Sequence, residues 1–414
     1  MNYDIIILGG GASGLCTAIL AKTEKNRILV IDKDTRPGRK ILSTGNGKCN
    51  LTNEYCEVSK FGSNPEKLYP YFSDGKKGFI EDVIGRYDWK DTLEFFGGLG
   101  LLTINKNGYI YPRTEQASAV LEILEREIKS LGIEVLSDYR PRIVINKNGY
   151  FIIDEQFAAK NLVVSTGGMS SPKNDADGFG YKIAQSFGHS IIKPRPALCG
   201  IKCREKIFKE ISAVRQNGLL TLYDEKHRFI MSCYGNIQFT DYGLSGIPAF
   251  QLSGTVGKML EEGRHPVIEV DLLPGVSVKK IADMIKGHEE NCLLGIVNSR
   301  LAKGFEKMAR SEGLRPGKQE YINRLACLVR HFEAEPESLP SFKNSQVTAG
   351  GISTGEISSA SMESKKKGGL YFTGEIIDVN GICGGYNLQW AFSTAFICGS
   401  ALHEKYDQDQ FFKA

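Results

Sequence analysis

Tyr3-Asp4-Ile5-Ile6-Ile7-Leu8-Gly9-Gly10-Gly11-Ala12-Ser13-Gly14 opens the chain and decides its fold class. Ile5 to Leu8 is a short continuous apolar run, the pattern of a strand covered on both faces in a parallel sheet. Gly9, Gly11 and Gly14 then spell G-x-G-x-x-G, and Leu15 to Ala21 reads as the helix that follows. In a dinucleotide fold the first glycine permits the tight turn and the second lets backbone approach a pyrophosphate. The third allows close packing of helix on strand. Ala12 and Ser13 fall in the first helical turn, whose N–H groups face the phosphates. A second apolar run, Ile28 to Ile31, ends in Asp32, where a carboxylate is expected to accept hydrogen bonds from the adenosine ribose. Strand, turn, helix, strand and acid in this order predict a nucleotide site. The motif begins at residue 3, which leaves no room for a signal peptide and predicts a cytoplasmic protein.

The chain has 414 residues, room for two or three domains. Hydrophobic residues make up 41% and charged residues 24%, the profile of a globular protein. No uninterrupted apolar run approaches the roughly 20 residues needed to span a bilayer. A net charge of +4 is small for this length and gives no argument for nucleic acid or an acidic membrane. The ten cysteines form no C-x-x-C pair, and the six histidines include no pair at metal-ligand spacing, so no metal site is expected.

After Asp32 and Lys33 the sequence changes character. Arg36 to Asn53 is rich in glycine, asparagine, cations and hydroxyls, which suits a loop offering N–H groups and positive charge to an anion. A helix is predicted from Phe79 to Phe96 and an amphipathic helix from Gln116 to Leu131. A hairpin follows, turning at Lys147-Asn148-Gly149, and then a buried strand, Asn161 to Ser165, which runs into Thr166-Gly167-Gly168. Gly178-Phe-Gly180 with Ala184 imitates a second fingerprint. Ser170 to Asp177 before it supplies no strand to turn from, so a loop and helix start is expected there.

From about residue 192 short alternating strands suggest an antiparallel barrel or sandwich. Phe239 to Gly246 is expected to interrupt it as a flexible glycine-rich lid, with Asp241 and Tyr242 the candidates for a proton donor or substrate contact. The basic run Arg300 to Lys318 reads best as the solvated face of a helical subdomain. The last 70 residues return to the opening style. Gly369 to Asp378 is a strand ending in Gly374, Glu375 and Asp378, and Gly384-Gly385-Tyr386-Asn387 opens a long helix. Strand, acid and helix N-terminus can form a second polar cradle.

Together these stretches resemble the FAD flavoproteins of the 3-dehydro-bile-acid Δ4,6-reductase-like family, also described as aminoacetone-oxidase-like NAD(P)/FAD-dependent oxidoreductases. The long pieces P-G-R-K…S-T-G-N-G-K-C-N-L-T-N and M-E-S-K…G-L-Y-F-T-G-E-I-I-D-V…G-G-Y-N-L-Q-W carry the likeness. The resemblance implies an α/β fold, a discontinuous Rossmann-like FAD domain built from residues 1–191 and 345–414. A β-barrel with a helical subdomain, about 255–315, would be inserted over 192–344. It implies FAD contacts at Gly11, Ser13, Asp32, Lys33, Arg39, Lys40, Thr44, Gly45, Asn46, Thr166, Gly167, Gly374, Asp378, Gly385, Tyr386 and Asn387. The expected activity is hydride transfer through non-covalent FAD, linked to NAD(P)H, onto an unsaturated or carbonyl small molecule. The Ser-His-Asp, metal-cluster and paired-carboxylate patterns that would compete with it are not readable in the sequence. Two alternatives remain: a flavin-containing protein associated with nucleic acid such as tRNA, and an NAD-only dehydrogenase that would leave the later motifs idle.

Overall fold

A computed structural model describes residues 1–63, 68–75, 77–170 and 178–407. The chain divides into two compact units, residues 1–194 together with 347–414, and residues 195–346.

The first unit is built on the opening motif. β1 (Asn2–Leu8) and β2 (Ile28–Ile31) lie side by side in parallel, with Ile5 opposite Ile28 and Leu8 opposite Ile31. Ile5, Ile6 and Ile7 are fully buried, and each such side chain contributes about 1.5–3 kcal/mol on leaving water. α1 (Ala12–Ala21) returns the chain between them. α2 (Lys77–Arg86), α3 (Trp89–Gly98) and α4 (Ala117–Ser130) follow. Then come β3 (Glu134–Leu136), the hairpin strands β4 (Val144–Lys147) and β5 (Tyr150–Ile153), and β6 (Phe157–Val164). The sheet order is β3-β2-β1-β6-β5-β4. The inner half of β6 also pairs in parallel with Leu370–Phe372, so the C-terminal segment completes the parallel core. The final helix, Tyr386–Asp407, packs on α1, and the crossing needs glycine. A Cβ on Gly399 would stand 2.5 Å from that of Leu20.

One expectation changes here. The single helix predicted from Phe79 to Phe96 is two helices, because Asp88 caps a new one. Its carboxylate accepts from Lys90 N while Asp91 accepts from Asp88 N, a complete capping box. Around the second glycine pair, α5 (Phe179–Ser186) begins as expected, while Ser171 to Asp177 lie outside the described residues.

The second unit holds β7 (Ile201–Cys203), β8 (Val214–Tyr223), β9 (Phe229–Thr240) and β10 (Gly243–Gly246). Next come α6 (Ile247–Glu261), β11 (Val267–Asp271), α7 (Val278–Ile285), α8 (Ser299–Ser311) and α9 (Gln319–Arg330). β12 (Phe332–Ala334) and β13 (Pro336–Ser338) close it. These seven strands form one antiparallel sheet, β12-β11-β8-β9-β10-β7-β13. The strands at its two edges are separated in sequence by Glu335 alone. The sheet must therefore curl until its edges meet, which makes it a barrel. The stretch expected to hold the helical subdomain, about 255–315, also contains the strand β11, and helices continue to Arg330.

Phe239 to Gly246 is not an open lid. Thr240 pairs with Gly243 and Ile237 with Gly246, so Asp241-Tyr242 is the two-residue turn of a hairpin. Its glycines mark close strand crossings rather than freedom. A Cβ on Gly243 would meet Ile201 O at 2.3 Å, and one on Gly246 would meet Asn236 O at 2.3 Å. Among the described residues no helix is long and apolar enough to cross a membrane.

Candidate functional site

The three fingerprint glycines play three different physical parts. Gly9 has φ +102° and a Cβ there would lie 2.5 Å from Ser165 O, so only glycine makes this turn beside β6. Gly14 would place its Cβ 1.9 Å from Gly9 O, which is why α1 can sit directly on the turn. Gly11 faces open space, with nothing within 4 Å of its Cβ position. It is also the N-cap of α1 and has no side-chain cap. Ser13 and Gly14 behind it are buried. A helix N-terminus that is uncapped and opens onto a cleared space fits an anionic group.

Asp32 sits at the end of β2 as expected, and its carboxylate already holds backbone. Oδ2 accepts from Gly10 N at 2.6 Å and Oδ1 from Asp34 N at 2.8 Å. Burial pushes its pKa above the ordinary aspartate value, with the two N–H groups working against that shift. Asp32 therefore shapes the glycine turn, and each of its oxygens accepts one backbone N–H bond with a further lone pair left over. Lys33 beside it is half-buried.

The Arg36–Asn53 loop is a chain of tight turns. Gly45, Asn46, Gly47 and Cys49 all have positive φ. Thr44 donates to Ile41 O at 2.6 Å, and its own carbonyl accepts from Cys49 N at 3.0 Å. Gly45, Asn46 and Lys48 stand in solvent, as does Arg39. Cys49 is buried, and burial pushes its thiol up to about 11. A buried thiol of this kind stays protonated and packs as a small apolar group. The chain's ten cysteines are all free thiols.

Lys40 joins three distant motifs. Its Nζ lies 3.7 Å from Glu375 Oε2, and Glu375 accepts from Gly168 N at 3.2 Å and Thr348 N at 2.8 Å. Thr166 and Gly167, the latter at φ +72°, lie at the same strand end. Gly374 completes this corner. A Cβ there would stand 2.5 Å from Ser13 Oγ, and its N–H donates to Thr394 Oγ1 at 2.9 Å. Glu375, marked in the sequence as a strand-end acid but not as a ligand contact, is thus a part-exposed carboxylate at the meeting point of these motifs.

The remaining expected residues are placed differently. Asp378 is 1% exposed, and its Oδ2 accepts from Ser73 Oγ and Asp74 N. Asn387 folds its amide back on Gly381, accepting from its N and donating to its O. Tyr386 is buried, and its carbonyl accepts from Tyr71 Oη. Asp378 and Asn387 are thus engaged with the protein's own groups, close in sequence to Gly385. Gly385 has φ +95°, and a Cβ there would stand 2.7 Å from Thr52 O.

In the second unit, Tyr242 is 38% exposed, and a Cβ on Gly200 would come within 2.6 Å of its phenol oxygen. Asp241 is exposed beside it. The fold also assembles one constellation that the sequence hid, Ser364, His189 and Glu356, with Ser364 Oγ 2.7 Å from His189 Nε2. Its serine oxygen accepts from Lys366 N and Lys367 N, so it has no lone pair free to attack a carbonyl.

Among known proteins, the chain is 34% identical to 3-dehydro-bile acid Δ(4,6)-reductase of Clostridium scindens, covering 96% of this chain and 98% of that one. It is 31% identical to ribosomal RNA dihydrouridine synthase of Haemophilus influenzae, at 96% and 98% coverage. The Escherichia coli protein of the same name is 29% identical over 97% and 98%. In fold it resembles FrdA of E. coli quinol fumarate reductase, with a TM-score of 0.51 and 14% identity, covering 99% of this chain and 71% of that one. The family model described as the HI0933-like protein Rossmann domain matches residues 3–401, and the chain belongs to that family.

Proposed function

We propose that this protein is an FAD-dependent oxidoreductase that reduces a carbon–carbon double bond conjugated with a carbonyl, with NAD(P)H as the donor. The observation that carries the reading is the cleared, uncapped helix start at Gly11, flanked by Asp32 on one side and by Lys40, Gly167 and Gly374 on the other. That donor set fits a dinucleotide: N–H groups and a cation for the pyrophosphate, and carboxylates for sugar hydroxyls. FAD, when bound, supplies the hydride chemistry. The chain's own residues bind and orient. Asp32 holds the turn, Glu375 fixes the Lys40 ammonium, and the wall from Asp378 to Asn387 keeps the second cradle rigid.

The choice of acceptor rests on what the relatives' names share. A Δ4,6-reductase acting on a 3-oxo compound and an enzyme making dihydrouridine both saturate a C=C bond next to a carbonyl. In the reaction proposed for this chain, a hydride would add to the far carbon of such a bond and a proton from solvent to the near one, while NAD(P)H would become NAD(P)+. A small-molecule acceptor is favoured by the first relative. A uracil ring in ribosomal RNA is the second reading, favoured by the other two at equal coverage.

The test begins with colour. The purified protein is expected to be yellow and to release its flavin into the supernatant on acid precipitation. Anaerobic bleaching by NADH or NADPH, and reoxidation by conjugated enones, then test the reaction. Dihydrouridine in rRNA from cells with and without the protein separates the two acceptors. A colourless protein that binds only NAD would refute the reading.

A further inference from the structure

His189 and Ser364 lie 175 residues apart in sequence and meet with Nε2 and Oγ 2.7 Å apart. Both are buried, His189 at 4% exposure and Ser364 at 7%. Ser364 Oγ accepts from Lys366 N at 3.0 Å and Lys367 N at 2.9 Å. Both lone pairs of the hydroxyl are therefore engaged, and its one hydrogen must point at His189. It follows that Nε2 is an unprotonated acceptor and the proton of the neutral ring is on Nδ1. Nδ1 faces Glu356 Oε2 at 3.3 Å, a charge–dipole contact without good hydrogen-bond geometry. Glu356 is itself held by Lys366 Nζ at 2.6 Å and by Ser190 N and Oγ.

This cluster stands beneath the strand that delivers the second nucleotide cradle. The Ser364 turn leads through Lys367 and Gly369 into Leu370–Phe372, which pairs with β6 and ends at Thr373-Gly374-Glu375. Ser364 N also donates to Leu370 O at 2.7 Å. The His189 ring packs edge-on against Phe372, 4.8 Å between centroids. The serine of the M-E-S-K stretch thus has a physical task that nucleotide binding alone does not explain.

We infer that His189 is a positioning residue for the flavin site. As a neutral acceptor it locks the Ser364 turn, and the turn sets the strand that presents Gly374 and Glu375 to the dinucleotide. Protonation at Nε2 would aim an N–H at an oxygen whose lone pairs are taken, and one bond of the turn would have to break. The charged groups facing the ring are Glu356, which favours the cation, and Lys366, which opposes it. Burial is the larger influence and holds the histidine pKa below its ordinary value. The neutral form is thus the native one. Its contribution is complete above the unfolded value of about 6.5 and is lost as pH falls through the lower folded value. The inference rests on the flavin reading above.

FAD affinity of the apoprotein, titrated between about pH 5 and 8, tests it, since histidine is the side chain that ordinarily titrates there. For the wild type the Kd is expected to rise on acidification by up to about tenfold per pH unit below the His189 pKa. His189→Gln keeps an acceptor near the Nε2 position and cannot titrate. It is expected to bind FAD at pH 8 within a few-fold of wild type and to lose the acid-side weakening. His189→Ala should bind weakly at every pH. Should the alanine variant not fold, the glutamine variant decides alone. An acid-side slope unchanged in His189→Gln, or wild-type affinity in a folded His189→Ala, would overturn the positioning role while leaving the flavin reading intact. Failure of the wild type to take up FAD at any pH would sink both.

Discussion

Replacing Gly11 and Gly14 one at a time by alanine separates ligand space from packing space inside a single motif. At Gly11 the backbone has φ −77° and ψ −167°, which any L residue adopts, and the added methyl meets nothing within 4 Å. Alanine is a poorer N-cap than glycine by up to about 1 kcal/mol. Its restriction of the unfolded chain returns about 0.4–1 kcal/mol. The apoprotein Tm should therefore move by no more than about 4 °C. FAD is another matter. The methyl occupies the space in which a phosphate oxygen would approach the helix N–H groups, and each charge-assisted bond lost is worth about 1.5–3 kcal/mol. One such bond corresponds to roughly a tenfold to hundredfold weaker Kd. At Gly14 the methyl would stand 1.9 Å from Gly9 O and 2.7 Å from Ser165 Oγ, so α1 must move off the turn. Overpacking of this kind costs about 1–3 kcal/mol or more, and Gly14→Ala should lower the apoprotein Tm as well as FAD binding. Flavin-fluorescence titration of refolded apoprotein, alongside thermal melts without flavin, reads both quantities. Wild-type FAD affinity in Gly11→Ala would show that no dinucleotide lies over this turn.

Asp32→Ala should weaken FAD about tenfold to hundredfold. It should also destabilise the apoprotein by about 1–3 kcal/mol, because the buried Gly10 N–H loses its acceptor. Unchanged melting with weakened FAD would confine Asp32 to the ribose. Cys49→Ser should keep most of the NAD(P)H-dependent flavin reduction rate. With its thiol pushed up to about 11, only roughly one molecule in ten thousand carries a thiolate at pH 7. A collapse of turnover at full FAD occupancy would make that thiol chemical.

The parts of this site that could be read from the sequence are those whose chemistry is local. Gly9, Gly11, Gly14 and Asp32 lie within 30 residues, and each is fixed by its own turn or strand end. Asp88 and Asp91 carried a readable capping signal that the apolar pattern of Phe79 to Phe96 obscured. Gly243 and Gly246 misled for a different reason. Glycine in a run of polar residues looks like freedom, whereas here it marks strands passing too closely for a Cβ. Lys40, Gly168 and Glu375, or His189 and Ser364, could not be paired from one sequence. Their meeting depends on the parallel pairing of β6 with Leu370–Phe372, and nothing local in either strand names its partner.

That same pairing has a consequence for biosynthesis. Leu162 finds Leu370 only after more than 200 further residues have been made, and the barrel unit lies in between. At about 5–20 residues per second, a ribosome leaves the inner edge of β6 without its neighbour for roughly 10–40 s. During that interval Leu162, Val163 and Val164 present an apolar strand with unpaired N–H and C=O groups, a template for pairing with another nascent chain. A nonsense mutation between residues 165 and 369 would make that exposure permanent, because the chain would then contain β6 and lack its neighbour. Such truncated chains should accumulate as aggregates or chaperone-bound species rather than as a soluble half-protein with partial cofactor affinity.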